Sequence, residues 1–484
     1  MSQQTATMQN SPIPLCVDLD GTLIKTDLLW ESFVRLLKRN PLWLFVIPFW
    51  WMRGRAFLKR QLAARITLDP AILPYNEPFL VFLREARRSG RKLILATASD
   101  RALADLVAGH IGIFDEVLAS DGIINLRSAN KLKALTEKFG VRGFDYAGNS
   151  SADLAVWRGT REAIVVNASP SLTKKAAGCT KLGPAFPPDS HKLSALFRCL
   201  RPHQWVKNVI VFVPAIAAHK LADHSSLLNN AQAFVAFCLC ASGVYIVNDL
   251  LDLDADRGHS GKKRRPFAAG DLPLQTGLIL GPALLAAGGV VSVMLSKPFA
   301  GVMALYFVLT MSYSWRVRQM ALLDVFFLAG LYTIRIFAGS VATATVISHW
   351  LLAFSVFFFL NLALIKRVSE LFQLRLAKKG SPEGRGYQVS DIEILSSLGA
   401  CSGYISVLVL ALYINSAEIR EFYSQPEWLW LVLPLLLFWV SRIWLLNHRG
   451  LIHEDPVVFA LKDKVSYLIG VLVVLVVFVA TGKS

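Results

Sequence analysis

Nine apolar segments follow one another through the second half of this chain, near residues 208–221, 230–248, 273–294, 299–315, 321–341, 347–365, 394–414, 428–446 and 465–481. A helix needs about 20 apolar residues to cross the hydrocarbon core of a bilayer, and a backbone N–H or C=O left without a partner in lipid is costly. Continuous apolar runs meet that demand as α-helices. The C-terminal part is therefore expected to be an all-α polytopic membrane domain of about nine transmembrane helices. Composition agrees, since 54% of the residues are apolar and the mean hydropathy is +0.46, too high for an ordinary soluble enzyme.

The polar stretches between the spans set orientation. Those around 249–272, 316–320, 366–392 and 442–464 hold 17 Lys and Arg, against 3 in the alternate stretches near 220–229, 295–298, 342–346 and 415–427. Cytoplasmic loops retain positive charge, so the first set is expected on the cytoplasmic side of the cell (inner) membrane. The net charge of +17 is then a topology signal, and no nucleic-acid partner is expected. The N-terminal MSQQTATMQNSPIPLC has neither a basic start nor an apolar core, so the first domain is expected to stay in the cytoplasm without a cleaved signal. Six cysteines lack ligand spacing, which argues against a disulfide framework or a zinc site.

Ahead of the membrane part, short apolar runs ending in polar turns (LCVDLDG, KLILATASD, DEVLASDG, FDYAGNS, EAIVVNAS) alternate with helical stretches. That pattern predicts an α/β domain with a mainly parallel sheet over 12–181. Residues 182–200 read as a linker, LGPAFPPDSH, followed by an amphipathic segment, and 201–484 as the membrane domain. One apolar stretch, PLWLFVIPFWWM (41–52), is too short to span; a helical cap packed on the domain and a patch dipping into lipid headgroups are both open for it.

Two places carry chemistry. VDLDGTLIKTD (17–27) sets Asp18 and Asp20 two apart at a strand end, so both project into one pocket. One can attack a phosphoryl group, the other can protonate the leaving oxygen, and both can help hold Mg²⁺. In YIVNDLLDLDADRGH (245–259), helical spacing of about 100° per residue brings Asn248, Asp249, Asp252 and Asp256 onto one face and turns Asp254 away. Carboxylates so close repel unless a cation sits among them, and oxygen ligands suit Mg²⁺ shared with substrate phosphates. Lys207, Lys262, Arg265 and Arg318 lie in neighbouring basic blocks, as a diphosphate would require. Asp324 and Arg335 fall on nearly one face of a span, where charge is costly; they are expected either to line a polar cavity or to form a buried network that stabilises the bundle.

The first of these places resembles the opening motif of the haloacid dehalogenase superfamily of phosphatases, and the resemblance continues in order along residues 13–170. It implies Asp18 and Asp20 as the catalytic pair, Thr97 as the phosphate-binding hydroxyl, Lys131 as the cationic clamp, and AGNSSADLAVW as the acidic motif holding Mg²⁺ through Asn149 and Asp153. The family usually has an acid where Asn149 stands, so weaker metal binding is expected, and a degenerate or regulatory domain stays open. The insert at about 28–90 corresponds to a helical cap over the site.

The second place, with its nine-span bundle, resembles the UbiA superfamily of intramembrane prenyltransferases, from about residue 195 onward. RPHQWVKN, the tail through Arg265 and Pro266, and YSWRVRQMALLDVFFLAGLYTIR look like the branch that moves 5-phosphoribosyl from phosphoribosyl diphosphate to a polyprenyl phosphate. Ser260 and Arg318 replace that branch's usual proline and lysine. The resemblance implies Asn248, Asp252 and Asp256 as Mg²⁺ ligands with Asp249 in support. It further implies Lys207, Asn208, Lys262, Arg265 and Arg318 on phosphates, Tyr313 orienting the sugar phosphate, and Asp324 and Arg335 at the cavity where the lipid phosphate attacks. The fused phosphatase is expected to remove the 5-phosphate of the lipid product. Transfer of an isoprenoid from its diphosphate to an aromatic acceptor, a transporter with a phosphate-sensing domain, and a homo-oligomer remain open.

Overall fold

The computed structural model describes residues 13–188, 192–376, 385–416, 419, 423–452 and 455–482. By packing it divides into two compact units, one comprising residues 1–200 with Tyr245–Pro282, the other Arg201–Val244 with Ala283–Ser484. The expected division at residue 201 thus needs one correction. The Asp-rich stretch between two membrane helices packs with the soluble part, because its charged side chains find buried partners there.

The first unit is built on a six-stranded parallel sheet ordered β3-β2-β1-β4-β5-β6. Its strands are β1 (Leu15–Val17), β2 (Leu93–Asp100), β3 (Glu116–Ser120), β4 (Asp145–Gly148), β5 (Glu162–Val166) and β6 (Lys181–Phe186). In β1, Leu15 and Val17 enter one core with Phe79 and Leu83. Cys16 enters the other with Tyr146 and Trp157. A strand covered on both faces reads as a continuous apolar run, which is why LCV and LILA carry no polar alternation. Strand order reverses at β1, and the crevice beyond the carboxyl ends of strands at such a point is where ligands bind in this architecture. The insert between β1 and β2 is mainly helical, with helices Leu28–Arg39, Ile47–Met52, Arg55–Ala63 and Glu77–Arg88, and Ile24 bridges to Tyr75 at its base. Residues 182–186, expected as linker, instead belong to β6, which pairs with β5; the remainder of that linker falls partly outside the described residues.

The candidate spans number six among the described residues: His224–Leu251, Leu274–Leu295, Leu323–Ala342, His349–Leu376, Val389–Ile414 and Pro426–His448. A seventh is obtained if Pro456–Lys462 and Lys464–Ala480, bent by 84°, count as one. Two of the nine expected spans differ. Near 208–221 the chain forms a 3₁₀ segment, Pro202–Phe212, and a five-residue helix, Val213–Ala217, instead of one continuous helix. Pro214, at the start of the short helix, lacks the N–H that a continuous helix through 208–221 would use. Helix Lys297–Trp315 is present with 19 residues, but its final MSYSW dilutes its apolar character.

Candidate functional site

The loops beyond β1, β2 and β4 surround a cavity of about 490 Å³, whose lining includes Asp18, Asp20, Lys131, Asn149 and Asp153. Backbone geometry shapes it first. Gly21 has φ +73°, and a Cβ there would come 1.9 Å from Asn149 Nδ2, so only glycine lets the β1 turn approach the β4 loop. Helix Leu28–Arg39 starts against the same turn, its Leu28 N–H donating to Asp20 Oδ1 at 2.8 Å. Ser99 Oγ donates to Asp20 Oδ2 at 2.6 Å.

Lys131 Nζ donates to Asp18 Oδ1 and to the Tyr146 hydroxyl, both at 2.7 Å. The Tyr146 hydroxyl donates in turn to Asp153 Oδ1 at 2.9 Å. Burial pushes the Asp18 carboxyl up to about 7, with Lys131 opposing and Asp153 and Asp20 adding to the rise. Burial and neighbouring Asp27 push Asp20 up to about 6. A carboxyl whose range reaches up toward neutrality can carry and release a proton, as general acid catalysis requires.

One expectation takes a different form here. Thr97 is fully buried and its hydroxyl accepts the Ser99 N–H at 3.0 Å, while Ala98 forms the cavity wall. Asp153 accepts four hydrogen bonds, one on Oδ1 from the Tyr146 hydroxyl and three on Oδ2 from the Asn149 N–H, the Ser150 N–H and the Ser150 hydroxyl, which leaves Oδ1 with a further lone pair. Asp153 therefore shapes the loop that presents Asn149. Asp18, Asp20, Asn149 and Asp153 line one cavity, a set of oxygen donors that fits a hard cation such as Mg²⁺.

The Asp-rich stretch belongs to the same unit. Helix His224–Leu251 ends just before Asp252, and a short helix, Leu253–Gly258, follows. The helical ladder nevertheless continues, with Asp252 N–H bonded to Asn248 O and Asp256 N–H to Asp252 O, both at 2.8 Å. The one-face reading of Asn248, Asp249, Asp252 and Asp256 is consistent with that ladder. Arg265 Nη1 bridges Asp249 Oδ1 at 3.0 Å and Asp256 Oδ2 at 2.6 Å. A guanidinium thus supplies the cation that these carboxylates demand. Among the described residues no three His, Cys, Asp or Glu side chains are gathered as a metal cluster. Lys262 lies in the exposed turn Lys262–Arg264.

Sequence reasoning missed how the other side of this stretch is held. Arg257 makes a two-pronged contact with Glu31, at 2.6 Å to Oε1 and 3.1 Å to Oε2. Arg35 joins Glu31 to Asp254, each at 2.5 Å, and the Thr26 hydroxyl donates to Glu31 at 2.7 Å. Glu31 is fully buried. Burial alone would push its carboxyl up, but the Arg257 and Arg35 guanidinium groups more than reverse this and hold it below the usual range. The available signal was a glutamate on the core-facing side of an amphipathic helix, a position that requires a partner.

In the second unit the expected charged residues fall into three groups. Lys207 Nζ donates to Asp455 Oδ2 at 2.7 Å, and Lys366 to the same oxygen at 3.2 Å. Arg335 is buried under Phe237, Tyr306 and Tyr332, whose ring centres lie 5.6, 4.9 and 5.6 Å from its guanidinium carbon. It donates to Asn208 Oδ1 and to the Tyr306 hydroxyl, both at 2.9 Å. Asp324, which is fully buried, pairs with Arg367 at 2.7 Å and accepts the Tyr387 hydroxyl. Arg367 also reaches the Tyr313 hydroxyl at 3.4 Å. Asp324 and Arg335 thus share a helix but have separate partners, and both sit in enclosed networks of the bundle. Arg318 is half-buried in the turn Val317–Gln319. His453 and Glu454, in the polar stretch 442–464, lie outside the described residues.

The chain thus carries a two-core parallel α/β unit that holds both the paired-aspartate cavity and the Asp-rich helix end, and a second, polytopic helical unit. The UbiA prenyltransferase family model matches residues 209–382, and the haloacid dehalogenase-like hydrolase model matches residues 15–158. Protein y4nM of Sinorhizobium fredii is 40% identical over 466 residues, covering 95% of this chain and 90% of that protein. Nodulation protein NoeC of Azorhizobium caulinodans is 36% identical, covering 54% of this chain and 85% of its own. Decaprenyl-phosphate phosphoribosyltransferase of Mycolicibacterium smegmatis is 30% identical over 297 residues, covering 59% of this chain and 92% of that enzyme. The chain belongs to the UbiA prenyltransferase family and carries an N-terminal haloacid dehalogenase-like domain. It is an integral membrane enzyme of that family.

Proposed function

We propose that the membrane part transfers 5-phosphoribosyl from phosphoribosyl diphosphate to a polyprenyl phosphate, and that the N-terminal domain then removes the 5-phosphate from the lipid product. The observation carrying the first half is the likeness to decaprenyl-phosphate phosphoribosyltransferase over nearly that enzyme's whole length. Supporting the second half is the Asp18, Asp20 and Lys131 constellation at one cavity. Both sites are proposed to work on the cytoplasmic side of the inner membrane.

In the transferase step Asn248, Asp252 and Asp256, with Asp249 in support, would hold Mg²⁺ in exchange for the Arg265 contact, and the ion would supply the positive charge that makes diphosphate a better leaving group. Lys207, Lys262, Arg265 and Arg318 draw in the remaining phosphate charge. The lipid phosphate oxygen attacks C1 of the ribose as the bond to diphosphate breaks. For the phosphatase step, Asp18, Asp20, Asn149 and Asp153 would hold Mg²⁺, whose positive charge would favour an ionised Asp18. Asp18 attacks phosphorus, Asp20 gives its proton to the departing ribose oxygen, and Lys131 steadies the phosphoryl charge. Water, deprotonated by Asp20, then releases phosphate from Asp18.

The test uses membranes holding the full chain, Mg²⁺, polyprenyl phosphate and phosphoribosyl diphosphate labelled in the ribose. Label entering lipid, abolished by Asp252→Ala and retained with an extra phosphate in Asp18→Asn, is the expected outcome. Absence of label in lipid sinks the phosphoribosyl reading and turns attention to isoprenoid diphosphate donors. A lipid product unchanged by Asp18→Asn leaves the transferase standing and removes the phosphatase step.

A further inference from the structure

The segment Pro41–Met52 presents two apolar faces. Ile47 and Trp50 close inward on Leu36, Leu58 and Leu62. Phe45, Phe49 and Met52 stand 74%, 67% and 83% exposed, with Leu42 and Leu44 beside them. A contiguous outward row of large apolar side chains marks a surface that meets something other than water. Its surroundings within the same unit indicate what that is. Trp51 lines the Asp18 cavity, and so do Pro273, Leu274 and Gln275. Leu274 is the first residue of the candidate span Leu274–Leu295, and the initial part of that helix belongs to this unit. The turn that delivers this wall is closely fitted: Gly270 has φ +75°, and a Cβ there would lie 2.6 Å from Lys25 Cβ.

One cavity therefore takes part of its lining from the head of a membrane helix and part from the end of the exposed aromatic segment. Basic groups accompany it. Arg55 lines the cavity with its guanidinium carbon 5.6 Å from the Trp51 ring, and Arg53 stacks on Phe57 at 5.5 Å. Aromatic rings bordered by arginine suit the boundary between acyl chains and anionic headgroups. A second copy of the chain would cover the row equally well, but would leave unexplained why the row ends at the cavity and why a membrane helix begins there.

We propose that Pro41–Met52 lies in the membrane interface, its outward face covered by lipid, and that the Asp18 cavity receives its phosphate ester directly from the bilayer. The substrate class is a lipid whose polar head ends in a phosphomonoester. This rests on the phosphatase reading above and adds the surface by which the substrate arrives.

The full chain in lipid nanodiscs, wild type and Phe45→Ser/Phe49→Ser, is assayed for phosphate release from a lipid-linked sugar phosphate and from water-soluble p-nitrophenyl phosphate. Both substituted side chains point away from the core and away from the cavity. The expected result is at least a tenfold rise in KM for the lipid substrate with p-nitrophenyl phosphate hydrolysis unchanged. Equal rates on the lipid substrate, or a parallel fall on both substrates, overturns the proposal. A benzophenone side chain placed at Phe45 decides the surface without reference to activity. Photo-crosslinking to acyl lipid supports the proposal, and crosslinking to a second protein chain, or none, overturns it. If wild type releases phosphate from neither substrate, the phosphatase reading fails and the crosslink alone judges the interface.

Discussion

At the residue scale, Gly21 and Glu31 show how little of the chemistry is held by the reacting groups alone. Gly21→Ala must move Asn149, whose amide would lie 1.9 Å from the new Cβ, and must also strain a left-handed backbone. Phosphate release is expected to fall at least tenfold while label transfer to lipid persists, as the two assays run side by side will show. Asn149→Asp restores the charge that this family usually carries, so half-maximal phosphatase rate is expected at a lower Mg²⁺ concentration. An unchanged Mg²⁺ dependence would remove Asn149 from the ligand set. Glu31 makes a pH prediction. Its carboxyl is held low by Arg257 and Arg35, so its contribution is fully present above the unfolded glutamate value of about 4.3 and is lost as pH falls through the lower folded value. The protection factor of amides in Leu28–Arg39, the observed exchange rate set against the intrinsic rate at each pH, is therefore expected to be flat above about pH 5 and to fall in acid; Glu31→Gln should be less protected at neutral pH and lose that acid step. Asp18 and Asp20 were legible in sequence because their spacing at a strand end brings both into one pocket, and Lys131 was legible through the family resemblance. Glu31 and Tyr146 were not, because their partners are remote in sequence.

At the scale of elements, periodicity predicted five strands and most of the membrane helices, and failed where a local feature overrode it. β6 was obscured because Gly183 and Pro184 read as punctuation, although an edge strand tolerates both. The segment near 208–221 was apolar enough to read as a helix, yet Pro214 divides it. In Leu323–Ala342 the shared face of Asp324 and Arg335 was visible in sequence, whereas their separate partners were set by which helices pack on either end. The Asp324–Arg367 pair is fully enclosed, and removing one charge of a buried pair costs of order 3–5 kcal/mol because the other remains. Arg367→Met is thus expected to lower the melting temperature of the detergent-solubilised protein markedly, and Arg367→Met with Asp324→Asn to recover part of that loss. A double variant melting below the single one would show that the pair does not act as a charge-balanced unit.

For the whole molecule, covalent fusion makes a kinetic difference that neither site makes alone. A lipid carrying a 5-phosphate, once released by a transferase, is diluted over the membrane; a phosphatase on the same chain meets it at a raised effective concentration. Intact protein should therefore convert labelled donor to dephosphorylated lipid with little lag and little phosphorylated intermediate. An equimolar mixture of Asp18→Asn and Asp252→Ala full-length proteins in one membrane retains both activities on separate chains. It is expected to show a lag and about tenfold more intermediate at early times, with the same final product. Sparser reconstitution should lengthen the lag in the mixture and leave it unchanged in the intact protein, because only the mixture depends on encounter between chains. If the mixture and the intact protein trace the same course at every density, the intermediate equilibrates with the bilayer before hydrolysis and the fusion serves some end other than transfer between sites. Sequence shows that the two motifs lie on one chain; whether the product passes between them is a question of rates, which this dilution series measures.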